Sequence, residues 1–434
     1  MFTKRIWIVV SVLMIALFAL TACAQPTAAP TEAPVAPEAP ATEAPAEPEA
    51  PVATEAPAAT EAPAAEPPTI GLLLVGPAND AGWSQAHFDS MAYVQEKIPG
   101  TELLYLENVY TGSTAHTMTP SELAADMAVK GAKVVIFNSD DQKDHAIKFA
   151  QENPDVFVIH ASGDTAWKEG KNYLDLPNMK NIMGRMEYGK AIAGCAAALT
   201  SQTGKIGFLG PLINDETRRF AASSYLGAKY CWENYLGKDP ADLVFEVKWI
   251  GFWFNIPGVT LDPTQVADDF FNNGYDVIIS SIDTTEALTE AKKFFADGKQ
   301  VWAVPYDYEG ACEGADDVCL GVEYFNWGPS YVEAIKSVMD GTWESSFELV
   351  GPDWADINNP DTSAVGFNKG AALSADNSAL IDQFIAELGG GLNLWTGPIN
   401  LQDGTPYLAD GEVGTDLQVW YLPQLLEGME GQSE

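Results

Sequence analysis

The sequence predicts an α/β protein in which two doubly wound parallel-sheet lobes are joined by a hinge. Short apolar runs alternate with amphipathic segments over most of the chain after residue 69, a pattern typical of parallel sheets covered by helices on both faces. The alternation contains too many units for one small sheet, and it breaks near Asn181–Arg185. We therefore predict a first lobe from residues 69–183 and 305–343, and a second lobe from residues 184–304 and 344–425.

The first residues predict an export signal. Lys4 and Arg5 precede an apolar run over residues 6–20, and small residues follow it. The ending Leu20-Thr21-Ala22-Cys23 resembles the lipobox of bacterial lipoproteins, which implies cleavage before Cys23 and a lipid on that cysteine. Residues 1–23 are thus predicted to be a lipoprotein signal peptide and Cys23 a membrane anchor. The alternative is an ordinary secretory signal in which Cys23 is incidental.

The next segment, residues 24–68, consists almost entirely of Ala, Pro, Glu and Thr. It contains no aromatic residue and no lysine or arginine, so it cannot form a hydrophobic core and is predicted to be a disordered, extended linker. The whole chain has a formal net charge of −38. That balance leaves no basic surface for nucleic acid, and we predict no nucleic-acid partner.

In the first lobe, each predicted strand is an apolar run that ends at turn residues, and each predicted helix is amphipathic. Strands are predicted at Ile70–Val75, Glu102–Glu107, Val134–Asn138 and Val156–Ala161. Helices are predicted at Ser84–Lys97, Pro120–Lys130 and Gln142–Glu152.

The second lobe repeats this pattern after an Ala- and Gly-rich helix at Glu187–Ser201. Strands are predicted at Lys205–Gly210, Leu243–Ile250, Asp276–Ser280 and Val301–Val304, with helices at Asp215–Tyr235, Pro263–Asn272 and Thr285–Asp297. A further strand at Leu320–Tyr324 and a helix at Pro329–Asp340 follow.

The alternation stops after Gly341, and we assign the rest to a C-terminal extension of the second lobe. Ser378–Leu388 is predicted to be a helix, and Leu394–Leu401 and Gly414–Tyr421 are predicted to be paired strands. Residues 426–434 are predicted to be a frayed tail.

Four cysteines besides Cys23 bear on the compartment. Cys312 and Cys319 lie close together in a loop-like segment, and in an oxidising compartment they form a plausible disulfide. Cys195 and Cys231 lie on predicted helices, where pairing and simple burial are both open. No spacing of Cys, His or carboxylates indicates a metal site, and no cofactor is predicted.

Polar and aromatic residues follow the predicted strands where a ligand of an open α/β sheet would bind. Rings can stack on a flat molecule while carboxylates accept its N–H or O–H groups. The candidates are Asp80, Trp83, Asn138, Ser139, Asp140, Trp253, Asp283 and Asp307. Each has a structural alternative, because Trp83 could be a core aromatic and Asp80, Asp283 and Asp307 could cap loops or helices.

Catalysis is weakly indicated. The chain contains no GxSxG motif and no phosphate-binding loop, and its four histidines are far apart in sequence. We predict a binding protein without enzymatic activity. A secreted nucleoside hydrolase, and a sensor with the same fold that recognises a sugar, an amino acid or a signal molecule, are the alternatives.

Several segments together resemble the basic membrane protein family, the lipid-anchored substrate-binding proteins of ABC importers. They include Gly76-Pro77 before Asp80-Ala81-Gly82-Trp83, then Gly204-Lys205-Ile206-Gly207, Leu226-Gly227-Ala228, Gly274-Tyr275-Asp276-Val277-Ile278, Trp327-Gly328-Pro329 and Asp340-Gly341-Thr342-Trp343. The resemblance covers roughly Thr69 to Trp343.

This resemblance implies a type I periplasmic-binding fold, a purine nucleoside or nucleobase as ligand, and a permease and an ATPase as partners. It implies an extracytoplasmic location at the cell membrane. It places the candidates above in the pocket and adds Phe220 as a second stacking ring. The chain departs from the family at Ala222-Ser223-Ser224-Tyr225, at the insertion Gly258–Pro263, and from Trp343 onward.

Overall fold

The computed structural model describes residues 66–434. The predicted signal peptide, Cys23 and all but the last three residues of the predicted linker therefore lie outside the described residues. No helix within residues 66–434 combines the length and the apolar character needed to span a bilayer.

The first sheet has six parallel strands in the order β12-β5-β4-β3-β1-β2. Its inner strands are nearly continuous apolar runs because both faces are buried under helices. The strands are β1 (Thr69–Leu73), β2 (Glu102–Leu106), β3 (Ala132–Phe137), β4 (Phe157–Ala161), β5 (Met179–Gly184) and β12 (Phe347–Val350).

The second sheet has five parallel strands in the order β16-β7-β6-β8-β9. Its strands are β6 (Lys205–Gly210), β7 (Val244–Trp249), β8 (Val277–Ser280), β9 (Trp302–Val304) and β16 (Met429–Glu430). We call each of these two sheets, with its covering helices, a lobe. The strand order reverses beside β1 in the first sheet and beside β6 in the second, so each has a topological switch point at which ligands bind.

Two small sheets complete the fold. A three-stranded sheet joins β10 (Tyr306–Asp307), β11 (Gly321–Phe325) and β13 (Val365–Lys369). Its first strand, β10, follows β9 of the second sheet after one residue. A two-stranded antiparallel sheet joins β14 (Ile399–Asn400) and β15 (Pro406–Leu408).

Ten helices connect the strands of residues 66–434. They are α1 (Trp83–Lys97), α2 (Pro120–Val129), α3 (Lys143–Glu152), α4 (Met186–Thr200), α5 (Asp215–Asn234), α6 (Pro263–Asn272), α7 (Glu286–Ala296), α8 (Gly328–Met339), α9 (Ala375–Gly389) and α10 (Asp416–Trp420). Short 3-10 turns lie at Asp140–Gln142 and Pro240–Asp242. This arrangement confirms the predicted α/β class with parallel sheets.

Helices α4 and α5 pack unusually closely at the base of the second lobe. A Cβ atom at Gly194 would lie 1.9 Å from the Ser224 carbonyl oxygen, and one at Gly227 would lie 2.0 Å from the Ala191 oxygen. Only glycine allows backbones to approach this closely. A disulfide between Cys195 and Cys231 joins the same two helices, and a second disulfide joins Cys312 to Cys319.

The C-terminal region differs from the sequence prediction in three places. Phe347–Val350 pairs with β5 of the first sheet, although residues 344–425 were assigned to the second lobe. Met429–Glu430 pairs with β7 rather than forming part of a frayed tail, and Met429 is buried. Gly414–Tyr421 contains helix α10 instead of a strand. Edge strands of two to four residues are too short to show hydrophobic periodicity, so sequence patterns cannot identify them.

Candidate functional site

A small cavity lies between the two lobes at the carboxyl ends of their strands. Each lining residue lies in the loop after a strand of the two large sheets or at the start of the element that follows, as expected for a ligand site in open α/β sheets. The lining residues are Trp83, Ser139, Asp140 and Ser162 from the first lobe, Glu216, Trp253 and Asp283 from the second, and Tyr306 from β10 of the three-stranded sheet.

Trp83 is fixed as a rigid wall of this cavity. It is the first residue of α1 and is 6% exposed, and its Nε1 donates a hydrogen bond to the Asn138 carbonyl oxygen. Phe325 and Trp327 meet its ring edge-on, each with a centroid separation of 5.3 Å. Because the surrounding rings hold one orientation, a planar ligand would meet a preformed aromatic surface.

Asp80 lies beside the cavity but does not line it. Its carboxylate accepts backbone N–H groups from Gly82, Ser84 and Gln85, so it organises the turn that presents Trp83. Burial raises the pKa of Asp80 to about 6, while these three donors act to lower it. The structure therefore supports the capping alternative for Asp80 rather than direct lining.

The turn after β3 is divided between a supporting residue and two lining residues. Asn138 is fully buried, and its Oδ1 accepts the Val75 N–H at 2.8 Å, so it joins β1 to β3 below the cavity. Ser139 and Asp140 form part of the lining. The Ser139 carbonyl oxygen lies 2.9 Å from His160 Nε2, and burial lowers the pKa of His160, so a neutral imidazole donates this bond.

Trp253 and Asp283 are coupled on the opposite wall. The backbone N–H of Asp283 donates to the Trp253 carbonyl oxygen at 2.9 Å, and both residues are less than a tenth exposed. Burial raises the pKa of Asp283 well above its ordinary value, and the nearby Asp80 carboxylate raises it further. A neutral or ligand-paired carboxyl group is therefore favoured at this position.

Asp307 lies directly after the lining residue Tyr306 and is completely buried. Neither carboxylate oxygen has a hydrogen-bond partner within residues 66–434. Burial, with a contribution from Asp283, raises its pKa well above the ordinary value. The nearby Lys190 bonds instead to Ser280 O and Glu323 Oε1, each at 2.8 Å.

Asp307 also has a left-handed backbone, with φ of +74°. A non-glycine residue in this conformation costs free energy, as does an unpaired buried carboxyl group. Both features point to a polar group held ready for a ligand.

Phe220 does not reach the cavity. It is 1% exposed within α5, and its ring lies edge-on to Tyr306 with a centroid separation of 6.2 Å. It therefore supports a lining residue from behind and is not itself a stacking surface, contrary to the role that the family resemblance implied.

Glu216 is a lining residue that the sequence analysis missed. It lies in the first turn of α5, directly after β6, and burial raises its pKa to about 8 although Arg219 acts to lower it. The strand-end rule that selected Asp140 also applies to Glu216. The sequence analysis did not select Glu216 because it follows Asn214 and Asp215, and a polar run at the start of a helix is more simply explained by capping. The other two lining residues outside the list of candidates, Ser162 and Tyr306, lie shortly after β4 and β9.

The carboxyl groups of the lining have no basic partner among the other lining residues. Three carboxyl groups, those of Asp140, Glu216 and Asp283, line the cavity, and no lysine or arginine is among the eight lining residues. Carboxyl groups mainly accept hydrogen bonds, so the cavity favours a ligand that is rich in N–H or O–H donors.

Sequence comparison assigns this architecture to a family. The family model described as "ABC transporter substrate-binding protein PnrA-like" matches residues 68–358, about two thirds of the chain. The chain belongs to the Bmp family.

Two relatives of this Bmp protein are named for different ligands. A purine-binding protein of Brucella abortus is 28% identical over 351 residues, which are 80% of this chain and 88% of the relative. A putative ABC transporter glucose-binding protein of Haloferax volcanii is 24% identical over 62% of this chain and 61% of its own length.

Solved structures of ABC solute-binding proteins share the fold of the Bmp protein. One from Aeropyrum pernix has a TM-score of 0.59 at 14% identity and covers 77% of this chain and 93% of its own. One from Conexibacter woesei has a TM-score of 0.54 at 14% identity and covers 74% of this chain and 96% of its own. The family and the fold together make this an ABC transporter substrate-binding protein.

Proposed function

We propose that this Bmp protein binds a purine base or nucleoside between its lobes and delivers it to an ABC permease driven by a cytoplasmic ATPase. The observation that carries the proposal is the cavity in which Trp83 and Trp253 supply aromatic surface and three carboxyl groups supply acceptors. A purine has a flat face for stacking and ring or exocyclic N–H groups for carboxyl groups. The purine-binding relative from Brucella abortus supports the same choice.

The residues that line the cavity come from both lobes, so a ligand bound there would bridge them. A ligand held by residues of both lobes stabilises the closed arrangement, and the permease would recognise that arrangement.

The most direct test is denaturing mass spectrometry of the purified protein, which identifies any small molecule that co-purifies. A thermal-shift panel of adenine, guanine, hypoxanthine and their nucleosides follows, with glucose as the comparison sugar. Saturating ligand is expected to raise Tm, since a ligand at 100 times its Kd stabilises the folded state by about 2.7 kcal/mol. Stabilisation by glucose and by no purine compound would contradict the proposal.

We further propose that the protein acts outside the cytoplasmic membrane, held there by a lipid on Cys23. The lipobox-like Leu20-Thr21-Ala22-Cys23 and the Ala- and Pro-rich linker support this arrangement. In the native host, Cys23→Ser should move the protein from the membrane fraction to the soluble fraction. Intact-mass measurement of the native protein should show a lipid-modified N-terminus, and an unmodified one would contradict the anchor.

A further inference from the structure

A second polar pocket of about 180 Å³ adjoins the cleft cavity. Asp140, Ser162 and Glu216 line both spaces, so the two pockets are direct neighbours at these residues. The second pocket adds Asp164 from the first lobe, Arg219 from the second lobe, and Trp420 from helix α10. Trp420 lies beyond residues 68–358, so the match to the Bmp family does not include it.

Contacts with both lobes hold Trp420 at the pocket. Its ring lies 3.9 Å from the Arg219 guanidinium carbon and meets Phe347 edge-on. The next residue, Tyr421, donates from its hydroxyl to Asp164 Oδ2 at 2.5 Å and accepts the Lys171 N–H at 2.8 Å. Because these partners come from both lobes, Trp420 is a defined part of the pocket wall and not a loose surface ring.

Arg219 indicates that the pocket has a ligand. Its side chain is 1% exposed, and its Nε donates to Glu187 at 2.7 Å. Its Nη1 and Nη2 atoms are buried without a hydrogen-bond partner in the part of the chain that the structure describes. A buried guanidinium with two free donor groups is costly unless acceptor atoms satisfy it.

The remaining lining defines those acceptors. Three carboxylates, from Asp140, Asp164 and Asp215, and the protonated carboxyl group of Glu216 face two cations, Lys143 and Arg219. A phosphate would meet this excess of negative charge and be repelled. A hydroxyl group fits both signs, because it donates to a carboxylate and accepts from the guanidinium.

We infer that this pocket, completed by Trp420 and Arg219, binds a hydroxylated substituent carried by the ring compound in the cleft cavity. The inference rests on the proposed function, which leaves open whether the ligand is a free base or a nucleoside. It assigns the C-terminal extension a direct part in ligand recognition, and it predicts selection for the nucleoside.

The test is calorimetric titration of the purified protein with each base and its nucleoside, for example hypoxanthine and inosine. The native protein is expected to bind a nucleoside at least tenfold more tightly than its base. Trp420→Ala should weaken nucleoside binding about tenfold, in the range of an aromatic contact, and leave base binding unchanged. The base is an internal control, because misfolding would weaken both ligands together.

A second variant, Lys143→Ala, removes a half-buried side chain of the same pocket and should also weaken the nucleoside selectively. Trp354→Ala is the matched control, since this partly buried tryptophan packs on Tyr188 away from the pocket, and both affinities should stay native. Equal affinity of the native protein for base and nucleoside would overturn the inference and leave the proposed function standing. Failure of every purine base and nucleoside to bind would overturn both.

Discussion

Gly82 of the first lobe lies against the backbone of Asp283 in the second lobe. A Cβ atom on Gly82 would lie 1.9 Å from the Asp283 carbonyl oxygen, closer than atoms of these types ever approach. Gly82, which precedes Trp83, therefore limits how closely the two lobes can approach each other when the cleft closes. Any side chain at position 82 would hold the lobes apart.

We predict that Gly82→Ala weakens binding of the purine ligand at least tenfold. The methyl group disfavours the closed arrangement, and the apparent affinity falls with the population of the binding-competent form. Small-angle scattering should show a larger radius of gyration in the presence of ligand. Gly351→Ala is the control, because a Cβ there would contact only Arg185, at 3.8 Å. Native affinity in Gly82→Ala would show that the lobes close by another route.

Asp307→Asn is expected to raise stability and lower affinity together. Asparagine keeps the shape and tolerates the left-handed backbone, and it removes the free-energy cost of an unpaired buried carboxyl group. Loss of a carboxyl hydrogen bond to the ligand should weaken binding by about 0.5–1.5 kcal/mol. Thermal unfolding and calorimetry measure the two effects, with the exposed Asp317→Asn as control. A fall in both Tm and affinity would make Asp307 a structural residue.

Glu216 should impose a pH dependence on stability. Its pKa is about 8 in the folded protein against an ordinary value of 4.5, so the folded form keeps a proton that the unfolded chain has lost between these values. The contribution of Glu216 to stability is therefore complete below pH 4.5 and is lost as the pH rises to about 8.

Glu216→Gln should remove this loss. Relative to the native protein, its free energy of unfolding should increase through this window, by about 4–5 kcal/mol at pH 9, at about 1.4 kcal/mol per unit of pKa shift. Urea unfolding at pH 4 and pH 9 measures the difference, and Glu333→Gln on the exposed face of α8 is the control. An equal effect at both pH values would mean that Glu216 does not carry a raised pKa.

The two disulfides should contribute unequally to stability. Cys195 and Cys231 are 36 residues apart, and Cys312 and Cys319 are 7 residues apart. If loop-closure entropy dominates, replacing the first pair by alanine should cost about 1.5 kcal/mol more than replacing the second. Denaturant unfolding of the two double variants measures the difference. A larger loss from the shorter loop would show that packing in the native state decides the contribution.

The local sequence predicted the central strands and several wall residues because both depend on neighbours along the chain. Trp83 was selected because it follows the apolar run near Ile70 and the polar turn after it. The same rule, that ligand residues follow the carboxyl ends of parallel strands, selected Ser139, Asp140, Trp253 and Asp283, which line the same cavity. These positions follow from strand direction alone. That rule requires no knowledge of which strands are paired.

Residues whose environment depends on distant packing were not predictable. Phe220 was expected to stack on a ligand, but its place on α5 turns it behind Tyr306. Asp80 was expected in the pocket, but three nearby N–H groups engage it. The sequence did not predict a role for Arg219, because its burial depends on Glu187 and on Trp420, which is about 200 residues later in the chain.

The late edge strands have a consequence for the order of events during biosynthesis. The first sheet lacks β12 until residues 347–350 have emerged, and the second lacks β16 until residues 429–430 have emerged. Strands β5 and β7 therefore keep an unpaired edge while much of the chain is still being made, and such edges recruit other strands. We expect neither lobe to complete its sheet before the C-terminal residues are made, so chaperone protection of both edges should matter most late in synthesis.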